Sequence, residues 1–475
     1  MESTTKTTTP RLSVATLAIM NITAVVSLRG LATEAIYGVQ SAFYYLFAAL
    51  FFLIPTALVA AELAAMFAQR EGGVFRWVGE ALGERIGFVA IWLQWIQSTI
   101  WYPTVLTFAA VSIAFVGGDH SADAALASNK LFTSVVVLAI YWTATLIALR
   151  GIGWVGKVAR VGGIVGTILP AVVLVVLAIA YLVSGGHNNM DLDRSLIPDL
   201  AKFDNLVLAS SIFLFYAGME MMGIHAMDVD NPSRNYPRAI ILGSVATVLI
   251  FIAGTFSLAV IVPANEISLT QTLLVGFDRY FAYFGVEWLG SVIAIALVFG
   301  VLASVLTWVA GPSKGIYAVG KAGYLPRIFQ RSNSHGVQRN ILLIQGAVVS
   351  ILALLFVVMP SVQAFYQILS QLTVLLYLVM YMLMFASAIV LRYKRPDVPR
   401  PFRLGRRGNG TMWLLGGMGF VGSLLAFVLS FIPPSQISTG STTVWFTVLI
   451  AGGLFFVAVP FVIYALRKPS WRSEE

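Results

Sequence analysis

The chain has 475 residues, of which 59% are hydrophobic and 11% charged, and its 30 Lys and Arg against 21 Asp and Glu give a formal charge of +9. Soluble domains carry about 25% charged residues, so this composition cannot cover a water-facing surface, and it is far too apolar to stay disordered. With no cysteine, disulfides, thiolate metal sites, iron–sulfur clusters and a cysteine nucleophile are excluded, and what remains is an all-α polytopic membrane protein.

The first eleven residues, MESTTKTTTPR, are polar and lead straight into an apolar stretch without a short h-region and cleavage site. This predicts an uncleaved first span rather than a signal peptide. Crossing about 30 Å of hydrocarbon at about 1.5 Å per residue takes roughly 20 apolar residues. Twelve stretches qualify: 13–37, 42–67, 87–116, 130–149, 154–184, 204–227, 238–262, 284–312, 340–359, 364–391, 411–433 and 443–466. With the N-terminus inside, 25 of the 30 basic residues fall on one side, from Lys6 to Arg472, while Lys130, Arg194, Lys202 and Arg279 fall on the other and Arg29 lies within a span. Because Lys and Arg are retained on the cytoplasmic side, both termini are expected there. The excess of positive charge then faces anionic lipid headgroups rather than nucleic acid.

The informative residues are those that hydrocarbon should exclude, since a charge at membrane depth costs at least about 2.5–3.5 kcal/mol. They are Arg29 and Glu34 in the first span, Glu62 near the inner end of the second, and Glu220 in the sixth. Glu62 reads as an interfacial anchor. Arg29 and Glu220 stand near mid-span beside glycines, in Ser27-Leu28-Arg29-Gly30 and in Phe215-Tyr216-Ala217-Gly218-Met219-Glu220. Irregular backbone at this depth is tolerated only where it lines a cavity. Two broken helices five apart in order are what a five-plus-five inverted repeat predicts, with the site between the breaks. Gly162-Gly163 and Gly452-Gly453 read instead as sites of close helix packing.

Four stretches carry a resemblance to a known family. They are Glu71-Gly72-Gly73-Val74-Phe75-Arg76-Trp77, Asp228-Val229-Asp230-Asn231-Pro232-Ser233-Arg234-Asn235-Tyr236-Pro237-Arg238-Ala239, Gly311-Pro312-Ser313-Lys314-Gly315-Ile316-Tyr317 with Gly323-Tyr324-Leu325-Pro326, and Leu372-Thr373-Val374 with Tyr377, Tyr381 and Arg400-Pro401-Phe402. In this order they resemble the amino acid, polyamine and organocation transporters, and within them the bacterial glutamate/γ-aminobutyrate antiporter group. The resemblance implies a leucine-transporter-type fold in a bacterial inner membrane, with repeats at 13–184 and 204–391 and a peripheral pair at 411–466. It implies a secondary active amino acid transporter, an amino acid or amine antiporter for glutamate-like substrates, and neither an enzyme nor a cofactor-dependent protein. A proton-coupled permease and a transport-deficient sensor of the same fold stay open as alternatives.

Carried over by position, the substrate's carboxylate would meet backbone amides at Ser27, Leu28, Arg29 and Gly30, which suits the positive end of a half-helix. Phe215, Tyr216, Gly218 and Glu220 would hold the amino group and side chain, and Tyr377 and Tyr381 would wall the pocket, with Gln97, Trp101 and Ser304 as further pocket candidates. Glu71, Asp228, Asp230, Arg234 and Arg238 read as hinge and gate residues at the cytoplasmic mouth. Arg29 stands where many relatives have a small residue, and its fork suits a carboxylate. It is expected either to bind an acidic substrate's side chain or to pair with Glu220. Ser304 stands where the antiporter group has a carboxylate, and the short stretch after Arg467 leaves no room for a long inhibitory plug. Ser304 and Thr307 are one turn apart, as two sodium ligands would be, but such hydroxyls usually bond to the preceding turn. Exchange without an ion is the preferred coupling, and Glu220 as a proton carrier and His225 as a pH sensor are the alternatives. No catalytic motif on a soluble domain and no repeated filter points to an enzyme or a channel.

Overall fold

The computed structural model describes residues 13–67, 72–118, 120–199, 211–222, 231–358, 361–406, 408–433 and 441–472. Among the described residues every long regular element is a helix. In chain order these are α1 (Val14–Val25) and α2 (Gly30–Ala35), α3 (Gly38–Met66), α4 (Val74–Leu82) and α5 (Glu84–Ala114). Then come α6 (Lys130–Leu149), α7 (Gly153–Val183), α8 (Ser211–Tyr216), α9 (Met219–Met222) and α10 (Pro232–Ile261). The rest are α11 (Thr272–Phe284), α12 (Leu289–Lys321), α13 (Arg339–Leu354), α14 (Val362–Lys394), α15 (Gly410–Leu429) and α16 (Thr442–Ala465).

Nine of these helices are long and apolar enough to cross a membrane, so the protein is a polytopic helical membrane protein. The three remaining predicted stretches differ for identifiable reasons. The first and sixth are interrupted, as α1/α2 and α8/α9. The ninth, predicted at 340–359, has only the 16 residues of α13 before a tighter turn at Leu355–Val357. Gly72 and Gly73, both at positive φ, lead into an amphipathic helix, α4, whose Val74, Phe75, Trp77, Val78 and Ala81 are buried.

Position in the bundle follows from side-chain character. In the most apolar window of α5 83% of residues are buried, against 11% in α16. Helix α5 is therefore the centre, packed along α14 and α12, and α16 is peripheral. On α7, Val172, Val176 and Ile179 are exposed at helical spacing, a stripe for lipid contact rather than for water.

Close packing is set by small residues. In α7 a π-helical turn at Ile164–Ile168 precedes Pro170, which lacks the N–H needed to continue the ladder. Gly166 in that turn lies against α12, where an added Cβ would sit 2.2 Å from the Gly300 nitrogen and 2.3 Å from the Ala296 carbonyl oxygen. We therefore expect Gly166→Val to cost about 1–3 kcal/mol through overpacking, read as a lowered thermal midpoint of the purified protein; an unchanged midpoint would contradict this contact. Gly162 packs in the same way on Phe299, whereas Gly452 makes an ordinary contact with Leu372 and Gly453 has nothing within 4 Å. The expectation of close packing thus fails at Gly453, where an added Cβ would meet open space among the described residues.

Glu62 is not an interfacial anchor. It is 2% exposed, and its Oε2 accepts from Arg392 Nη2 at 2.6 Å and from the Leu404 backbone N–H at 2.7 Å. Its Oε1 lies 3.3 Å from Arg400 Nε. Burial lowers the Arg400 pKa, and the Glu62 carboxylate opposes that shift. The ion cluster joins the end of α3 to the end of α14 and the segment that follows it.

Candidate functional site

Helix α1 stops at Val25 because Val26 turns extended, with ψ 117°. Gly30 and Leu31 then donate to Ser27 and Leu28 carbonyls at 3.2 and 3.1 Å to start α2. The amides of Ser27, Leu28 and Arg29 have no backbone acceptor among the described residues, which is what an anion-binding break offers. The second interruption turns on Gly218, whose φ of +112° is a conformation that favours glycine. A Cβ there would also lie 2.8 Å from the Trp308 ring, and a Cβ on Gly30 would lie 2.8 Å from the Phe215 ring. The two breaks are thus in contact, Gly30 against Phe215.

The charges stand at opposite ends of this junction. Arg29 is 3% exposed; its Nη1 donates to Tyr366 OH at 3.0 Å and to Thr104 Oγ1 at 3.3 Å. Its guanidinium also lies over the Trp101, Phe215 and Tyr366 rings at 5.7, 5.9 and 5.7 Å, so cation–π attraction replaces part of its lost hydration. Glu220 is 2% exposed; it accepts from Gln94 Nε2 at 2.9 Å, from Tyr377 OH, and from Tyr381 OH at 2.5 Å. The Tyr381 hydroxyl in turn accepts the Gly218 N–H at 2.8 Å, so the carboxylate and the break share one clamp.

Between the charges lies a cavity of about 450 Å³ of space not filled by atoms, part of it open, lined by Val25, Val26, Ser27, Arg29, Gln97, Trp101, Leu214, Phe215, Ala217, Ser304, Trp308 and Tyr377. Of the residues singled out from the sequence, Ser27, Arg29, Phe215, Tyr377, Gln97, Trp101 and Ser304 meet in this lining. Leu28 and Gly30 are buried behind it, and Tyr216 points elsewhere, donating to the Tyr45 carbonyl at 3.2 Å. Gly218, Glu220 and Tyr381 form the clamp just described, and Glu220 reaches the cavity through Tyr377. Arg29 and Glu220 do not pair with each other; each is held by its own partners. Thr307 bonds back to the Ala303 carbonyl at 3.0 Å. Arg234 and Arg238 are exposed, while Glu71, His225, Asp228 and Asp230 lie outside the described residues.

Sequence reasoning missed Gln94, Thr104, Trp308 and Tyr366. The available signal was helical spacing, since Gln94 precedes Gln97 by three, Thr104 follows Trp101 by three, and Trp308 follows Ser304 by four.

The amino acid permease family model matches residues 12–455 of this chain. The chain belongs to that family. This permease is 35% identical over 464 residues to an uncharacterized transporter of Legionella pneumophila, covering 98% of each chain. It is 32% identical to a glutamate/gamma-aminobutyrate antiporter of Lactococcus lactis, covering 90% of this chain and 84% of the relative. A probable agmatine/putrescine antiporter of the same organism is 23% identical over 91% of this chain and 90% of the relative. The permease is therefore a membrane transport protein whose relatives are transporters and antiporters rather than enzymes.

Proposed function

We propose that this permease exchanges amino acids or amines by alternating access and accepts glutamate-like substrates between Arg29 and Glu220. The observation that carries this reading is a single cavity at two touching helix breaks with a guanidinium in its wall and a buried carboxylate behind Tyr377. The amides of Ser27 to Arg29, which have no backbone acceptor among the described residues, suit the α-carboxylate, Arg29 suits a side-chain carboxylate, and the Tyr377–Glu220 pair suits the amino group. The 32% identity to a glutamate/gamma-aminobutyrate antiporter supports exchange as the reaction. With it we propose inverted repeats at 13–184 and 204–391, a peripheral pair at 411–466, and cytoplasmic termini in a bacterial inner membrane.

The test is counterflow. Proteoliposomes loaded with unlabelled glutamate, glutamine or γ-aminobutyrate should take up labelled glutamate in a saturable way, and empty ones should not. Uptake into empty proteoliposomes that depends strictly on an imposed proton gradient would replace exchange by proton-coupled uptake. One observation favours that second reading: Glu220 is a buried carboxyl on the route.

A further inference from the structure

Arg29 uses only part of its guanidinium. Nη1 donates to Thr104 and Tyr366, while Nε is buried and has no hydrogen-bond partner among the described residues. The same side chain lines the cavity. A buried N–H without a partner is costly, and the edge that carries Nε is the one a carboxylate would engage.

The partners of the two charges lie in matching order on two helices. Helix α5 holds Glu220 through Gln94 and Arg29 through Thr104, ten residues or about 15 Å further along. Helix α14 holds Arg29 through Tyr366 and Glu220 through Tyr377, eleven residues or about 16 Å further along. The orders are opposite, as two antiparallel helices require. Arg392 and Lys394 close the cytoplasmic end of α14 on the orientation set by basic residues. The Arg29 end of the cavity is then the outer end.

We propose that Tyr366 and Thr104 form with Arg29 a latch on the outer end of the cavity. The Nη1 edge holds the latch, and the Nε edge is left for the substrate's carboxylate. Outer opening then requires Arg29 to leave Tyr366 and Thr104, whereas binding from the inner side does not. Tyr366 and Thr104 are positioning residues, and neither is needed to touch substrate. The proposal rests on the reading of this cavity as the transport site.

The absence of cysteine makes the test direct. Ser304→Cys introduces a single thiol in the cavity lining, and its labelling by a membrane-impermeant maleimide is timed in right-side-out and inside-out vesicles. Adding Tyr366→Phe, which keeps the ring under the guanidinium, should speed outer labelling about tenfold and slow inner labelling; Thr104→Val should act in the same direction. An outer rate that Tyr366→Phe leaves unchanged, or equal acceleration from both sides, would overturn the latch. Failure of the underlying reading looks different: Ser304→Cys with the latch intact would then be labelled at a rate that no exchanged amino acid alters, and the latch would fall with it.

Discussion

Arg29→Ala is expected to raise the KM for glutamate by at least about 30-fold, the effect of roughly 2 kcal/mol lost when one partner of a buried hydrogen-bonded charge pair is removed. The physical reason is local. The guanidinium is 3% exposed, it lies over three rings, and its Nε has no hydrogen-bond partner among the described residues, so its removal would leave a bound carboxylate against an aromatic wall without its charged donor. Glutamine, which carries no side-chain charge, should lose much less, and preference between the two should collapse. Arg29→Lys should fall between, because it keeps the charge and loses the planar fork. The check is a competition panel in counterflow assays with glutamate, aspartate, glutamine and γ-aminobutyrate. Unchanged apparent affinity for all four would remove Arg29 from the substrate's surroundings.

Glu62→Gln is expected to cost about 3–5 kcal/mol of stability, the usual penalty for leaving a buried charge without its partner. Here Arg392, with a side chain 2% exposed, would remain against a neutral amide at 2.6 Å, and Arg400 would lose its only close carboxylate among the described residues. The loss should appear as a fall in the thermal midpoint of the purified protein and in the yield of folded monodisperse material. Replacing both partners, as Glu62→Met with Arg392→Met, should recover part of that loss, since an apolar pair of similar volume leaves no unpaired ion. A Glu62→Gln protein that unfolds with the wild type would contradict the cluster's role.

How far the sequence led depended on cost. Arg29 and Glu220 stood out because a charge at membrane depth is expensive and because Gly30 and Gly218 mark where a helix can yield. Their partners carried no such signal. A threonine such as Thr104 is unremarked in an apolar helix, where it bonds to the preceding turn, and Thr104 does donate to the Trp101 carbonyl at 2.7 Å while also accepting from Arg29. Tyr366 is an aromatic among aromatics. Glu62 was misplaced because Arg392, its partner, is 330 residues away in the chain, and distance from the cytoplasmic loop says nothing about a segment that folds back over it. The ninth helix came out short for a related reason: apolar residues near 355–358 look like membrane whether the backbone is α-helical or tightly turned.

If substrate occupies the cavity where the two breaks touch, it should protect a thiol placed at the second break. Ala217 lines that cavity, and Ala217→Cys would be the only cysteine in the chain. Saturating concentrations of each amino acid that the permease exchanges should slow maleimide labelling of this thiol in proportion to occupancy, and amino acids that are not exchanged should leave the rate unchanged. Labelling at the same rate with and without a saturating exchanged substrate would place the substrate outside this cavity.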